Sequence, residues 1–166
     1  MGSEMCIRDS YSLVLEAQEA AVAVVAPGGT AEAVHDTALR ILVEGLVDLG
    51  LLIGDVDGII ERGDYRHLYM HRTGHWLGLD VHDVGAYRLG EHSVSLKEGM
   101  VLTVEPGLYV SDRLEVPEGQ PAIEDRWKGI GIRIEDDVAV RDTAEVACGH
   151  EVLTVAALKG TAQMER

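Results

Sequence analysis

A chain of 166 residues, 46% apolar and 26% charged, is long enough to bury one core and too apolar to be disordered over most of its length. Its formal net charge of -15 opposes phosphate backbones and anionic lipid, so neither nucleic acid nor a membrane surface is expected as a partner. No apolar run reaches the length of a membrane span, the AAVAVVA run at 20–26 lacks a basic flank, and Cys6 and Cys148 form neither a metal-type pair nor a disulfide framework, so a cytoplasmic setting is expected.

Residues 1–10, MGSEMCIRDS, carry no apolar periodicity and read as a leader or scar foreign to the rest of the chain. From Tyr11 the spacing predicts an amphipathic helix, with Leu13, Val14, Ala17, Ala20, Ala21, Val24 and Val25 at three- and four-residue steps and a stop at Pro27-Gly28-Gly29. Thr30 then offers an N-cap oxygen to a second helix, whose apolar face runs through Val34, Ala38, Ile41, Leu42, Gly45, Leu46 and Leu49 to Gly50. The short connection makes these two a hairpin, and a third, shorter helix is predicted over 55–63.

Beyond Gly74 the pattern changes to short extended runs, with strands predicted at 76–82, 100–110, 130–135, 137–141 and 146–153. The Pro106-Gly107 break predicts a bend that aims Glu105 and Tyr109. Alternation in GIGIRIEDDVAV puts Arg133 and Glu135 on one face and Ile132 and Ile134 on the other. Residues 111–128 read as a long acidic surface loop of the kind that frames sites. The expected class is α+β, with a helical hairpin packed on one face of a curved antiparallel sheet; residues 11–160 form the unit and 161–166 a tail.

Three histidines fall within the HRTGHWLGLDVHD stretch at 71–83, upstream of VEPGLYV and GIRIEDD. A divalent metal that activates water needs a few rigid nitrogen or oxygen donors and nearby groups to hold substrate. His75, Glu105 and Glu135 suit the first role, and one imidazole with carboxylates favours manganese, cobalt, iron or zinc over copper. His71, His82 and Arg133 suit the second, orienting a carbonyl and countering negative charge, while a glutamate beside the metal accepts the proton of water. Taken singly, each residue has a plainer reading. A histidine among glycines packs, Glu105 before a proline steadies a turn, Arg133 and Glu135 pair on one strand face, and Cys148 is a small buried residue.

The joint pattern is more specific. HRTGHWLGLDVHDVG, LKEGMVLTVEPGLYV and GIGIRIEDDVAV, in this order and spacing, resemble the signature blocks of the proline-specific metallopeptidases, above all the Xaa-Pro aminopeptidase (aminopeptidase P) family, and the likeness runs from Tyr11 to about Lys159. The resemblance implies the pita-bread (creatinase/aminopeptidase-like) fold, of which this chain is approximately the second half, and removal of the N-terminal residue from peptides with proline in second position. It implies that His75, Glu105 and Glu135 serve a two-ion centre, usually of manganese, with Glu105 also shuttling a proton and Glu135 bridging the ions. His71 and His82 would hold substrate and the tetrahedral intermediate, Arg133 would stand beside the bridging carboxylate, and Tyr109 would belong to the pocket wall.

The family's five ligands include two aspartates from an upstream strand pair with no counterpart here, and Asp9 falls in no matching motif. The isolated chain is therefore expected to be inactive, and a homo-oligomer is expected only of the complete protein. Val152 stands where relatives carry asparagine, a change expected to affect a turn. A prolidase-like hydrolase and a noncatalytic binding protein of the same fold remain the alternative readings.

Overall fold

The computed structural model describes residues 2–141 and 145–156, with side chains described for residues 4–141. Helix α1 (Gly2–Ala23) starts nine residues before the expected Tyr11, so residue 10 is not an element boundary. The reason is a buried stripe that continues upstream: Cys6 and Ser10 precede Leu13, Val14, Ala17 and Ala21 on the same face. The Ser10 hydroxyl interrupts the apolar spacing between Cys6 and Leu13 and so hides the upstream part of the stripe. Helix α1 also stops short of Pro27, leaving Val24 exposed and Val25 buried.

Helix α2 (Ala31–Asp48) starts as expected, with Thr30 Oγ1 accepting from the Ala33 amide at 3.0 Å. Its buried face holds Val34, Ala38, Leu42 and Leu46, and also Leu39, Val43 and His35. Gly45 permits the close approach of α1, because a Cβ there would collide with Leu13. Helix α3 (Val56–Arg62) is capped by Asp55, whose Oδ2 accepts from the Gly58 amide at 3.0 Å, and ends at Gly63 with φ 74°. A single 3-10 turn (Asp64–His67) follows.

The expected strand over 76–82 is instead a tight hairpin of β1 (Leu77–Gly78) and β2 (Val81–His82), with Leu77 opposite His82. Leu79 and Asp80 at its tip are exposed, so no sheet covers this segment to hold it extended. A second hairpin of β3 (Arg88–Leu89) and β4 (His92–Ser93) comes next, without a clear signal in the sequence.

The main sheet is antiparallel. Residues 101–110 break at Glu105-Pro106 into β5 (Val101–Val104) and β6 (Gly107–Val110), as the proline predicts. Both pair with β7 (Ile130–Ala139), β5 placing Val101 opposite Ala139 and β6 placing Val110 opposite Ile130. The runs at 130–135 and 137–141 are thus one strand, with a register irregularity between Glu135 and Asp137. β8 (Glu145–Ala156) covers the other edge of β7 and sets Val152 opposite Ile134. Val152 therefore lies within a strand and not in a turn, as its β-branched side chain favours. The Cys148 side chain and the tail at 161–166 lie outside the described parts.

Helix α1 packs on the face of β7 that bears Ile132, Ile134 and Val138, each at most 1% exposed. Gln18 of α1 donates from Nε2 to Asp136 Oδ2 at 2.6 Å across that interface. The loop at 111–128 contains no helix or strand and is pinned by buried Trp127. No helix among the described residues is long and apolar enough to cross a membrane.

Candidate metal centre

The opposite face of β7 carries the chemistry. Period-two alternation turns Arg133 and Glu135 away from α1, and the β5–β6 break places Glu105 beside them. The chain at 73–76 runs along β5: Glu105 N donates to Thr73 O at 2.6 Å, Thr103 N donates to His75 O at 2.9 Å, and Trp76 bridges Leu102. This close approach needs Gly74, since a Cβ there would collide with the Thr103 carbonyl.

Ligand atoms of His75, Glu105 and Glu135 all lie within 4.8 Å of one another. His75 Nδ1 lies 3.0 Å from the Trp76 carbonyl, which only accepts, so the ring proton sits on Nδ1 and the Nε2 lone pair faces Glu105 Oε1 at 3.5 Å. Thr103 Oγ1 accepts from the His75 amide at 2.9 Å and donates to Glu105 Oε1 at 3.1 Å, holding both donors in place. Arg133 reaches Glu135 Oε2 at 2.9 Å and Glu105 Oε2 at 3.5 Å. Burial, and then the neighbouring Glu105 charge, lift the Glu135 carboxyl above the usual glutamate range in spite of Arg133. Two crowded carboxylates and an imidazole lone pair form a hard donor set whose repulsion a cation relieves, so these residues fit a divalent metal.

Around this centre is a cleft of about 650 Å³, whose walls include His71, His75, His82, Glu105 and Arg133. His71 Nδ1 donates to the Arg72 carbonyl at 2.8 Å, so its Nε2 accepts from the Tyr109 hydroxyl at 2.8 Å. Tyr109 is thereby joined to the cleft through His71, and burial raises its phenol above the usual range. The His82 ring stacks obliquely on His75 with centroids 4.1 Å apart. Val81 just before it has φ 71°, an unfavourable conformation for a β-branched residue that re-aims the strand at this histidine. All seven residues singled out in the sequence thus converge on this region, five on the cleft wall and Tyr109 and Glu135 through contacts with them.

Sequence reasoning missed the supports. Thr103 shares the i, i+2 face of Glu105 in MVLTVE, a signal that was available. His35 interrupts the apolar face of α2, is 7% exposed and lines the cleft. Burial, then the Arg72 charge, lower it to about 4. Tyr69 OH and His35 Nδ1 both meet Thr73 Oγ1, at 2.7 and 2.8 Å, tying α2 to the segment that carries His71 and His75.

The family model described as metallopeptidase family M24 matches residues 2–142. The Xaa-Pro aminopeptidase of Haemophilus influenzae is 46% identical over 95% of this chain and 34% of its own length. Aminopeptidase PepP of Pseudomonas aeruginosa superposes with a TM-score of 0.75 at 48% identity, over 83% of this chain and 30% of that one. Aminopeptidase P from Escherichia coli, solved with the inhibitor Pro-Leu, gives a TM-score of 0.73 at 44% identity, over 92% and 31% of the two chains. The expected pita-bread architecture therefore holds over the matched region, and the chain spans about a third of the length of these relatives.

Proposed function

The chain belongs to metallopeptidase family M24, and from that premise we propose that it supplies much of the active site of a manganese-dependent Xaa-Pro aminopeptidase, which releases the N-terminal residue from peptides with proline second. The observation that carries the reading is the convergence of His75, Glu105 and Glu135 to within 4.8 Å, with His75 and Glu105 lining a cleft shared by His71, His82 and Arg133. When bound, divalent cations supply Lewis acidity and lower the pKa of water.

His75, Glu105 and Glu135 would hold those cations. Glu105, buried and steadied by Thr103, accepts the proton of the attacking water and passes it to the departing proline nitrogen. Arg133 keeps both carboxylates oriented through its contacts at 2.9 and 3.5 Å. His71 and His82 line the cleft wall, where they would hold the peptide and the oxyanion formed from its carbonyl. Both ring nitrogens of His71 are engaged, by the Arg72 carbonyl and the Tyr109 hydroxyl, so its part requires one of these bonds to be exchanged for substrate. Proline in second position lacks an N–H and has a fixed φ, so such peptides need a dedicated site. Cobalt, zinc or iron would satisfy the same donors. A cytoplasmic, homo-oligomeric complete protein belongs to the same proposal.

Manganese titration by calorimetry, run alongside hydrolysis of an Xaa-Pro tripeptide, tests the reading. The complete protein carrying this chain is expected to turn over only with metal. The isolated chain, with three clustered candidate donors among the described residues, is expected to bind at most one ion weakly and to be inactive. A metal-loaded complete protein that leaves the tripeptide intact would remove the aminopeptidase reading, and faster cleavage of an Xaa-Pro dipeptide would favour a prolidase.

A further inference from the structure

The charges of the cleft do not all cancel. Arg133 is committed to Glu105 and Glu135, and Arg88 to Glu32 at 3.0 Å, while Glu32 also accepts from Ser93. Arg72 lines the same cleft, is exposed, and among the described residues makes no ion pair. Glu32 and Asp36 feel its charge without pairing with it. Next to Arg72 in the wall is His35, whose Nδ1 takes the Thr73 N–H at 3.2 Å and meets Thr73 Oγ1 at 2.8 Å. Nδ1 therefore carries the lone pair and Nε2 the proton, and among the described residues Nε2 has no hydrogen-bond partner. A buried imidazole with a spare N–H and a guanidinium without an ion pair among the described residues thus face one cleft.

We propose that His35 and Arg72 form a carboxylate-binding subsite that receives the C-terminal carboxylate of a short peptide, the guanidinium supplying charge and the His35 Nε2–H fixing one oxygen. Arg72 and His35 line the same cleft as His71, His75 and Glu105, so a short peptide held by those residues would have its C-terminal end within that cleft. The inference rests on the aminopeptidase reading for its substrate, and makes the site selective for short peptides with a free C-terminus.

The test is calorimetric binding of the dipeptide Pro-Leu and of its C-terminal amide to the complete, metal-loaded protein, with tripeptide hydrolysis measured on the same sample. Pro-Leu is expected to bind about tenfold or more tightly than the amide, the preference falling below roughly threefold in Arg72→Ala and surviving in part in Arg72→Lys. Arg72 is exposed, so the alanine variant keeps the fold. His35→Gln, which retains a donor, keeps more of the preference than His35→Phe. Equal affinities for acid and amide, failure of both to bind, or an undiminished preference in Arg72→Ala overturns the subsite. A preference that holds without tripeptide hydrolysis leaves the subsite standing and removes the aminopeptidase reading.

Discussion

Along β7, Ile132, Ile134 and Val138 press against α1 at 1% exposure or less, whereas Arg133 and Glu135, each one residue away, face the cleft with about a third of the side chain or less exposed. The helix-facing side is stabilised by removing apolar surface from water. The cleft-facing side gathers charge partly away from water, and burial, then the neighbouring Glu105 charge, raise the Glu135 carboxyl. Stability and chemistry therefore alternate with period two along one strand, and each can be attacked without removing the other.

The largest separation is expected at Glu105. Glu105→Ala in the complete, metal-loaded protein should lower kcat on an Xaa-Pro tripeptide by about a thousandfold, within the range for removing a proton-transferring group. Its melting temperature without metal should stay level or rise, because Glu135 loses a like-charged neighbour. Loss of folding in this variant would break the division between the faces. Ile134→Ala is the converse: truncating a side chain of 0% exposure should cost about 2–5 kcal/mol in urea denaturation. Metal affinity of the folded protein should hardly change.

This division was legible in the sequence where it followed from periodicity. GIGIRIEDDVAV announced both faces of β7, and Pro106 announced the break that exposes Glu105 to the site. The candidate donors His75, Glu105 and Glu135 are legible because their residue types advertise chemistry. What escaped notice was whatever depended on tertiary contact. Cys6 and Ser10 are buried by tertiary packing against α1, which for Cys6 brings the 111–128 loop close, and no local pattern announces it. The run at 76–82 has strand-like composition and meets the main sheet at Trp76, which bridges Leu102, but beyond that residue it folds back as a hairpin. His35 is thirty-eight positions from Thr73, and no local pattern links them.

That contact gives the next prediction. His35 sits at about 4, below its ordinary 6.5, so between these values the unfolded chain binds more protons than the folded one. Its contribution to stability is complete above pH 6.5 and is lost as pH falls through 4. From pH 7 to pH 4.5 the wild type should lose about 2 kcal/mol more than His35→Gln, read from urea midpoints at both pH values. Equal losses would mean that burial of the imidazole does not govern this side of the cleft.

The smallest effect is expected where the two faces meet. Asp136 turns toward α1 beside apolar neighbours, 2% exposed, and takes the Gln18 Nε2 hydrogen bond at 2.6 Å. It also sits where the β7–β8 register shifts, immediately after Glu135. Gln18→Leu extends the apolar stripe of α1 but strips a donor from a buried carboxylate, so it should destabilise by about 1–2 kcal/mol. Adding Asp136→Asn should give a loss smaller than the sum of the single changes, the mark of a direct contact in a double-mutant cycle. Because the bond anchors the backbone that presents Glu135, Gln18→Leu should also weaken metal binding, by no more than about tenfold, the lower end for changes one layer behind a ligand. A stability loss with unchanged metal affinity would show that the core side of β7 can loosen without disturbing the site, making the alternation along the strand a true partition.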